Sequence, residues 1–199
     1  MIPGITVAIP CHLSRIRNGM LGRAMMSVYS QIYPAAGVSI AMDLEGRGAP
    51  FTRQRALNGV DTEWVAFLDS DDYFMVHHLQ ALWEAQQETG ADYVYSWFQT
   101  DPPGHDPFPS THFTEPWDND NPRQTTITTL VRTDLARSVG FWEPKDEDEF
   151  PNGLRVGEDW IFTLGCLENG AKIHHVVERT WVWAHHGKNS SGRPGHGDA

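Results

Sequence analysis

Trp64-Val65-Ala66-Phe67-Leu68-Asp69-Ser70-Asp71-Asp72-Tyr73 decides the fold: an apolar run that stops abruptly in three carboxylates interrupted by one serine. Residues 64–68 contain no polar position, which suits a strand buried on both faces better than a half-exposed one. Asp69 and Asp71 then stand where that strand leaves its sheet. In an open α/β sheet the carboxyl ends of the strands are where ligands bind. Carboxylates this close repel one another unless a cation neutralises them, so the stretch asks for a divalent metal with oxygen ligands.

The plain alternative is a surface turn rich in Asp, and the apolar strand before it argues against that. An EF-hand loop would need Asp or Asn at Tyr73 and Gly at Phe74, so that reading fails. Phosphatases of the haloacid dehalogenase type also carry Asp-x-Asp after an apolar strand, but with Thr or Val where Tyr73 stands and usually near the N-terminus.

A chain of 199 residues is one ordinary domain, large enough for a proper core. Its formal charge of −11 argues against nucleic acid or anionic membrane as a general partner, though a local basic groove stays open. No apolar stretch approaches the ~20 residues of a membrane span, and no signal-peptide pattern opens the chain, so a soluble, cytoplasmic protein is expected. Cys11 and Cys166 are too few for a disulfide framework and read as buried thiols.

Around the central stretch, residues 5–10 form a first strand that Pro10 should close. Asn18 can cap a helix in which Leu21, Ala24, Met25, Val28, Tyr29 and Ile32 recur at helical spacing, with Pro34 as the stop. Residues 38–42 form a second strand running into Asp43, which is either a site carboxylate or a turn residue capping the next segment. A helix over 51–60 carries Arg53 and Arg55 in different directions, so that one can face solvent while the other faces the site.

A helix over 76–89 ends at Gly90, and residues 92–98 form a further strand. Strands alternating with amphipathic helices predict an α/β fold with a mostly parallel central sheet and helices on both faces. The proline-rich stretch 100–123 forbids a regular element and reads as a loop, with His105, His112 and Trp117 more often solvated than ligand-binding in such a setting. Residues 124–131 are β-prone, and Thr133 can cap a short helix ending at Gly140. The acidic run 146–149 reads as solvated. Glu158 and Asp159 open a helix after Gly157, which by itself is simple capping. Residues 171–184 are β-prone and lead into His185-His186, and 188–199 read as a flexible tail.

Taken in order, Val7-Ala8-Ile9-Pro10, Ser27 with Gln31, Asp43, Arg53-Gln54, Phe67-Leu68-Asp69-Ser70-Asp71-Asp72, Val139-Gly140-Phe141-Trp142-Glu143, Gly157-Glu158-Asp159, Asn169-Gly170-Ala171-Lys172 and the His186 to Ser191 segment resemble family 2 of the glycosyltransferases. Asp-x-Asp alone is a weak signal; the order and spacing of the whole set are strong, and the resemblance runs to about Gly192. It implies a single GT-A (Rossmann-like) domain over 1–187, with 100–123 as an acceptor loop or lid, and an inverting enzyme that moves a sugar from a nucleoside diphosphate donor to an acceptor hydroxyl.

The resemblance also implies roles. Pro10, Asp43 and Arg53 would contact the nucleotide, Asp43 by reading the base, with Gln54 standing where the family has Asn. Asp69 and Asp71 would hold the sugar nucleotide, a uridine diphosphate sugar first among the options, and with His186 the Mn²⁺ or Mg²⁺ ion. Asp159, with Glu158 beside it, would be the catalytic base. Ala184 stands where the family often has Arg, so that contact with the diphosphate is missing from the pattern. Two other classes stay open: a nucleotidyltransferase of similar fold, whose glycine-rich basic loop is not evident in residues 11–15, and a non-catalytic nucleotide-sugar-binding relative, which would lack a base like Asp159. His186 by itself is equally an exposed histidine after a strand, and His185 competes with it for the ligand role.

Overall fold

The computed structural model describes residues 1–104, 106–142 and 157–186. His105, the acidic run 146–149 and the tail 188–199 lie outside the described residues.

Strand β1 (Ile2–His12) leads through a short helix α1 (Leu13–Arg17) into α2 (Met20–Tyr29), then β2 (Gly37–Asp43), α3 (Gly48–Asn58) and β3 (Thr62–Phe67). After the Asp turn come β4 (Tyr73–Phe74), α4 (His78–Thr89) and β5 (Tyr93–Asp101), a one-turn helix α5 (Thr111–Thr114), β6 (Thr129–Arg132) and α6 (Thr133–Val139). Helix α7 (Glu158–Glu168) and β7 (Ile173–Ala184) complete the described chain. The seven strands form one sheet in the order β2-β1-β3-β6-β5-β7-β4. The long ladders β1·β2, β1·β3 and β5·β7 are parallel, while the short β6 and β4 pair antiparallel and make the sheet mixed.

Both faces are covered, because Trp64, Val65, Ala66 and Phe67 are all buried although alternate side chains point to opposite faces. Trp64 meets Trp83 of α4 edge-on at 5.9 Å, and Phe67 meets Phe162 of α7 at 5.7 Å on the other face. Phe162 in turn stacks on Phe141 at 4.5 Å. A single hydrophobic core runs through these layers, and Cys11 and Cys166 are free, buried thiols. Among the described residues no helix is long and apolar enough to cross a membrane.

Several boundaries differ from expectation for local reasons. Pro10 does not end β1, which runs two residues further against β2. Ala8 accepts a hydrogen bond from Leu68 on the β3 side, and the N–H that Pro10 lacks would point to that same side, past the last residue of β3 to pair with β1. Asn18 does accept from the Met20 N–H at 3.2 Å, but the residue before α2 is Gly19 in a left-handed conformation at φ 78°, and α2 stops at Tyr29, leaving Ile32 exposed. Thr133 is the first residue of α6 and buried, rather than its cap. The 100–123 stretch is not wholly irregular, since it contains α5.

Candidate functional site

The site is built at the carboxyl ends of three neighbouring strands. β1 and β2 end in register at His12 and Asp43, and β3 ends at Phe67, immediately before Leu68 and the Asp turn. That turn is closed by the Asp72 N–H donating to the Asp69 carbonyl at 3.1 Å. The chain then enters β4, whose pairing with β7 draws the C-terminal strand alongside. Asp72 is buried and its Oδ1 accepts the Ala184 N–H at 2.9 Å, so it ties the turn to the end of β7. Burial, and then the charges of Asp71 and Asp69, hold the Asp72 carboxyl well above the usual carboxylate range. The consequence lies two residues past Ala184: His186 Nε2 arrives 2.9 Å from Asp71 Oδ2. His185 turns away, with its N–H donating to the Asp101 carbonyl and its ring edge-on to Trp183.

Arg53 is the centre of the other half. Of the two arginines of α3, Arg55 is exposed and donates to the Met42 carbonyl, whereas Arg53 is buried. Its Nη2 donates to both oxygens of Asp69 at 2.9 Å, and its Nη1 donates to Glu158 Oε1. Burial disfavours the charged guanidinium, but Asp69, Glu158 and Asp159 more than compensate and keep it charged. Its Nε is buried with no partner among the described residues. Asp69 is pushed up by burial, pulled back by Arg53 and raised again by Asp71.

Asp159 lies beside Glu158 in the first turn of α7. Its Oδ1 accepts from the Trp160 N–H at 3.0 Å, and a Cβ at Gly157 would stand 2.6 Å from that oxygen, so with any other residue there the carboxylate would have to swing aside. A helix N-terminus alone predicts a carboxyl that ionises readily. Instead burial first, then Glu158 and Asp69, outweigh the pull of Arg53 and of the Trp160 N–H, and push Asp159 up to about 6.

Asp43 takes the Arg47 N–H at 2.9 Å on Oδ1 and the Gly48 N–H at 3.0 Å on Oδ2, and so closes the turn that leads into α3. Burial raises its pKa, but backbone N–H groups from Glu45 to Gly48 outweigh this and leave it below the usual range. Pro10 is buried in β1, paired with Ala41 two residues before the strand ends.

Two arginines not singled out in the sequence belong here. Arg15, on α1, places Nη2 2.9 Å from Asp71 Oδ2, the same oxygen that His186 reaches. Arg23 donates to the Asp71 carbonyl at 2.9 Å and lies over the Tyr73 ring, whose hydroxyl donates to Asp101 at 3.0 Å. A basic residue just beyond the first strand was the available signal for Arg15. Arg23 gave none.

The 100–123 loop is stitched down. Trp97 Nε1 donates to Asp106 at 2.6 Å, Arg123 pairs with Glu115 at 2.7 Å, and His175 Nδ1 lies 2.9 Å from the Glu115 carbonyl oxygen. His112 packs between Trp97 and Phe108, while Trp117 sits against Tyr95 and, at 6.5 Å, against Trp160 next to Asp159.

The fold has solved counterparts. A crystal structure of S. aureus TarS residues 1–349 with UDP-GlcNAc superimposes with a TM-score of 0.75 at 19% identity, over 96% of this chain and 62% of that one. The same protein with UDP gives 0.71 at 20% identity, over 91% and 60%. This chain thus spans about three fifths of those structures, and at such identity the likeness establishes the fold. Among curated proteins none matches. The profile described as Glycosyl transferase family 2 matches residues 37–140, from β2 through α3, the Asp turn and β6 to the end of α6. That span is just over half of the chain and holds Asp43, Arg53, Asp69 and Asp71, although Asp159 and His186 lie beyond it. On this match the chain belongs to glycosyl transferase family 2.

Proposed function

We propose that the chain is a metal-dependent, inverting glycosyltransferase that moves a sugar from a nucleoside diphosphate sugar to an acceptor hydroxyl. The observation that carries the reading is Arg53, which joins the Asp69 end of the turn to Glu158 and so brings Asp159 beside the carboxylates at the strand ends. The UDP and UDP-GlcNAc complexes of TarS, which shares the fold, favour uridine diphosphate as the leaving group here.

The residues fit a divalent ion held by few protein ligands. Asp71 Oδ2 and His186 Nε2 stand 2.9 Å apart, and neighbouring ligands on an octahedral ion with bonds of 2.0–2.1 Å are about that far apart. Asp69 has both oxygens on Arg53, one hydrogen bond to each. Among the described residues no three donors are gathered as a metal cluster. The fit is therefore to an ion completed by the donor's phosphates and by water, a common arrangement for Mg²⁺ that also serves Mn²⁺. Such an ion would stabilise the negative charge that develops on the departing diphosphate.

The chain's own residues supply the rest. Asp43, at the end of β2, and Pro10, two residues before the end of β1, would border the place for the base. Arg53 fixes Asp69 and Glu158, and with them the relative position of the turn and α7. Asp159 takes the proton from the acceptor hydroxyl as that oxygen attacks the anomeric carbon, and the raised pKa of about 6 is near the optimum for a general base at neutral pH. Trp117, packed against Trp160, supports reading the 100–123 loop as the acceptor wall, and the loop's ties to the sheet count against a free lid.

Thermal shift with nucleoside diphosphates and their sugars, each with Mn²⁺, Mg²⁺ or chelator, tests the donor site. A uridine nucleotide at a hundredfold excess over Kd should stabilise the protein by about 2.7 kcal/mol, a shift of several degrees, only when metal is present. Asp71→Asn and His186→Ala should each lose the metal-dependent part, and His185→Ala should not. If no nucleotide shifts the melting curve under any metal condition, the reading fails. Stereochemistry tests the single displacement independently: an α-linked donor should give a β-linked product by proton NMR of the anomeric signal, and a retained α-configuration rules out one in-line attack.

A further inference from the structure

We propose that Arg15 is an exchangeable counter-ion of Asp71, which yields that carboxylate when metal and diphosphate bind and takes up the diphosphate instead. The inference rests on the donor-site reading above and concerns a residue outside the family-2 match. In the described structure the two carboxylates of the Asp-x-Asp pair are neutralised by different guanidinium groups: Arg53 on Asp69, and Arg15, with His186, on Asp71.

The two arginines are held very differently. Arg53 projects from α3, is 5% exposed and bridges Asp69 to Glu158, so moving it would strand two carboxylates. Arg15 projects from α1, a five-residue helix none of whose residues is buried. A segment with so little buried apolar surface rearranges at low cost. Its guanidinium is nevertheless largely covered at Asp71, with 15% of the Arg15 side chain and 16% of the Asp71 side chain exposed, so the contact is a real competitor for that oxygen.

Asp71 Oδ2 already receives both Arg15 Nη2 and His186 Nε2 at 2.9 Å. A divalent ion bonded to the same oxygen would bring two positive charges within a few ångströms of the guanidinium, and the repulsion drives Arg15 off. The arriving diphosphate offers the displaced fork what it has lost, since guanidinium binds phosphate oxygens bidentately and keeps its charge throughout. Arg15 therefore opposes the metal alone and assists the metal together with nucleotide.

Opposite signs in two binding measurements test this. Mn²⁺ binding without nucleotide, followed by the electron paramagnetic resonance signal of free Mn²⁺, should be roughly tenfold tighter in Arg15→Gln than in wild type. UDP binding at saturating Mn²⁺, by calorimetry, should be roughly tenfold weaker in the same variant. Arg15→Lys keeps the charge without the fork, so it should hold Mn²⁺ affinity near wild type and still lose part of the UDP affinity. Equal Mn²⁺ affinity in wild type and Arg15→Gln, including no binding by either, overturns the exchange, as does a loss of both affinities together. Wild type that binds no UDP with Mn²⁺ overturns the donor-site reading itself, whereas wild type that binds UDP normally while Arg15→Gln is unchanged overturns the Arg15 role alone.

Discussion

Asp159→Asn is expected to lower turnover by about 10²–10⁴-fold while leaving donor binding within about twofold, because the carboxylate acts on the acceptor proton and not on the nucleotide. With Asp159 pushed up to about 6, the wild-type rate should also fall about tenfold per pH unit below that value, as the base becomes protonated. The same shift predicts a stability effect of the opposite sense. Between its ordinary value of 3.8 and about 6, the folded protein binds a proton that the unfolded chain has released. The associated stability is present at low pH and is lost as pH rises through 6. At pH 7 wild type therefore holds an ionised carboxylate against burial and against Glu158 and Asp69, and Asp159→Asn should raise stability by about 1–2 kcal/mol, with the gain vanishing below pH 4. Steady-state kinetics and melting curves at pH 7 and pH 4 check both halves. Near-normal turnover would remove Asp159 from the base role, and a lower melting temperature at pH 7 would mean that its bond to the Trp160 N–H outweighs its charge.

Much of the fold was legible because its signals are local. The unbroken apolar run of β3, the helical spacing in α2 and α4, and the stop at Gly90 all act within a few residues, and so does the placing of Arg53 and Arg55 on different sides of α3. What escaped depends on partners far along the chain. Pro10 continues β1 only because β3 has no residue left to pair there, and the two-residue β4 exists only because β7 runs beside it. In the sequence, His186 is set beside Asp71 by the family resemblance alone and carries no local mark of that position, since the Asp72 bond to Ala184 across 112 residues brings it there. The upward shift of Asp159 has no local mark for the same reason: the helix end that favours ionisation is local, while the burial and the Asp69 charge that oppose it are tertiary.

Removing the guanidinium of Arg53 should be the most damaging single change to the fold at this site. Arg53→Met keeps the stem and deletes the charge, leaving Asp69 and Glu158 without their shared partner and Asp159 without the attraction of that guanidinium. Breaking a buried ion pair from one side costs about 3–5 kcal/mol, because the opposite charge stays behind. For a domain of this length that is a fall of roughly 10 °C in melting temperature. Arg53→Lys should recover only part of it, since one ammonium cannot reproduce a fork that spans both carboxylates. The sign with pH follows from the carboxylates. Asp69 is already raised by burial and held down mainly by Arg53, so in Arg53→Met its pKa rises further, and it protonates at milder acidity. The deficit should therefore shrink on going from pH 7 to pH 5, and Asp69→Asn placed on top of Arg53→Met should restore about 1–2 kcal/mol at pH 7. Urea unfolding of the four proteins at both pH values measures this. A pH-independent deficit, or one below about 1 kcal/mol, would mean that Arg53 acts through its packed stem and that the carboxylates at the strand ends are neutralised by something else.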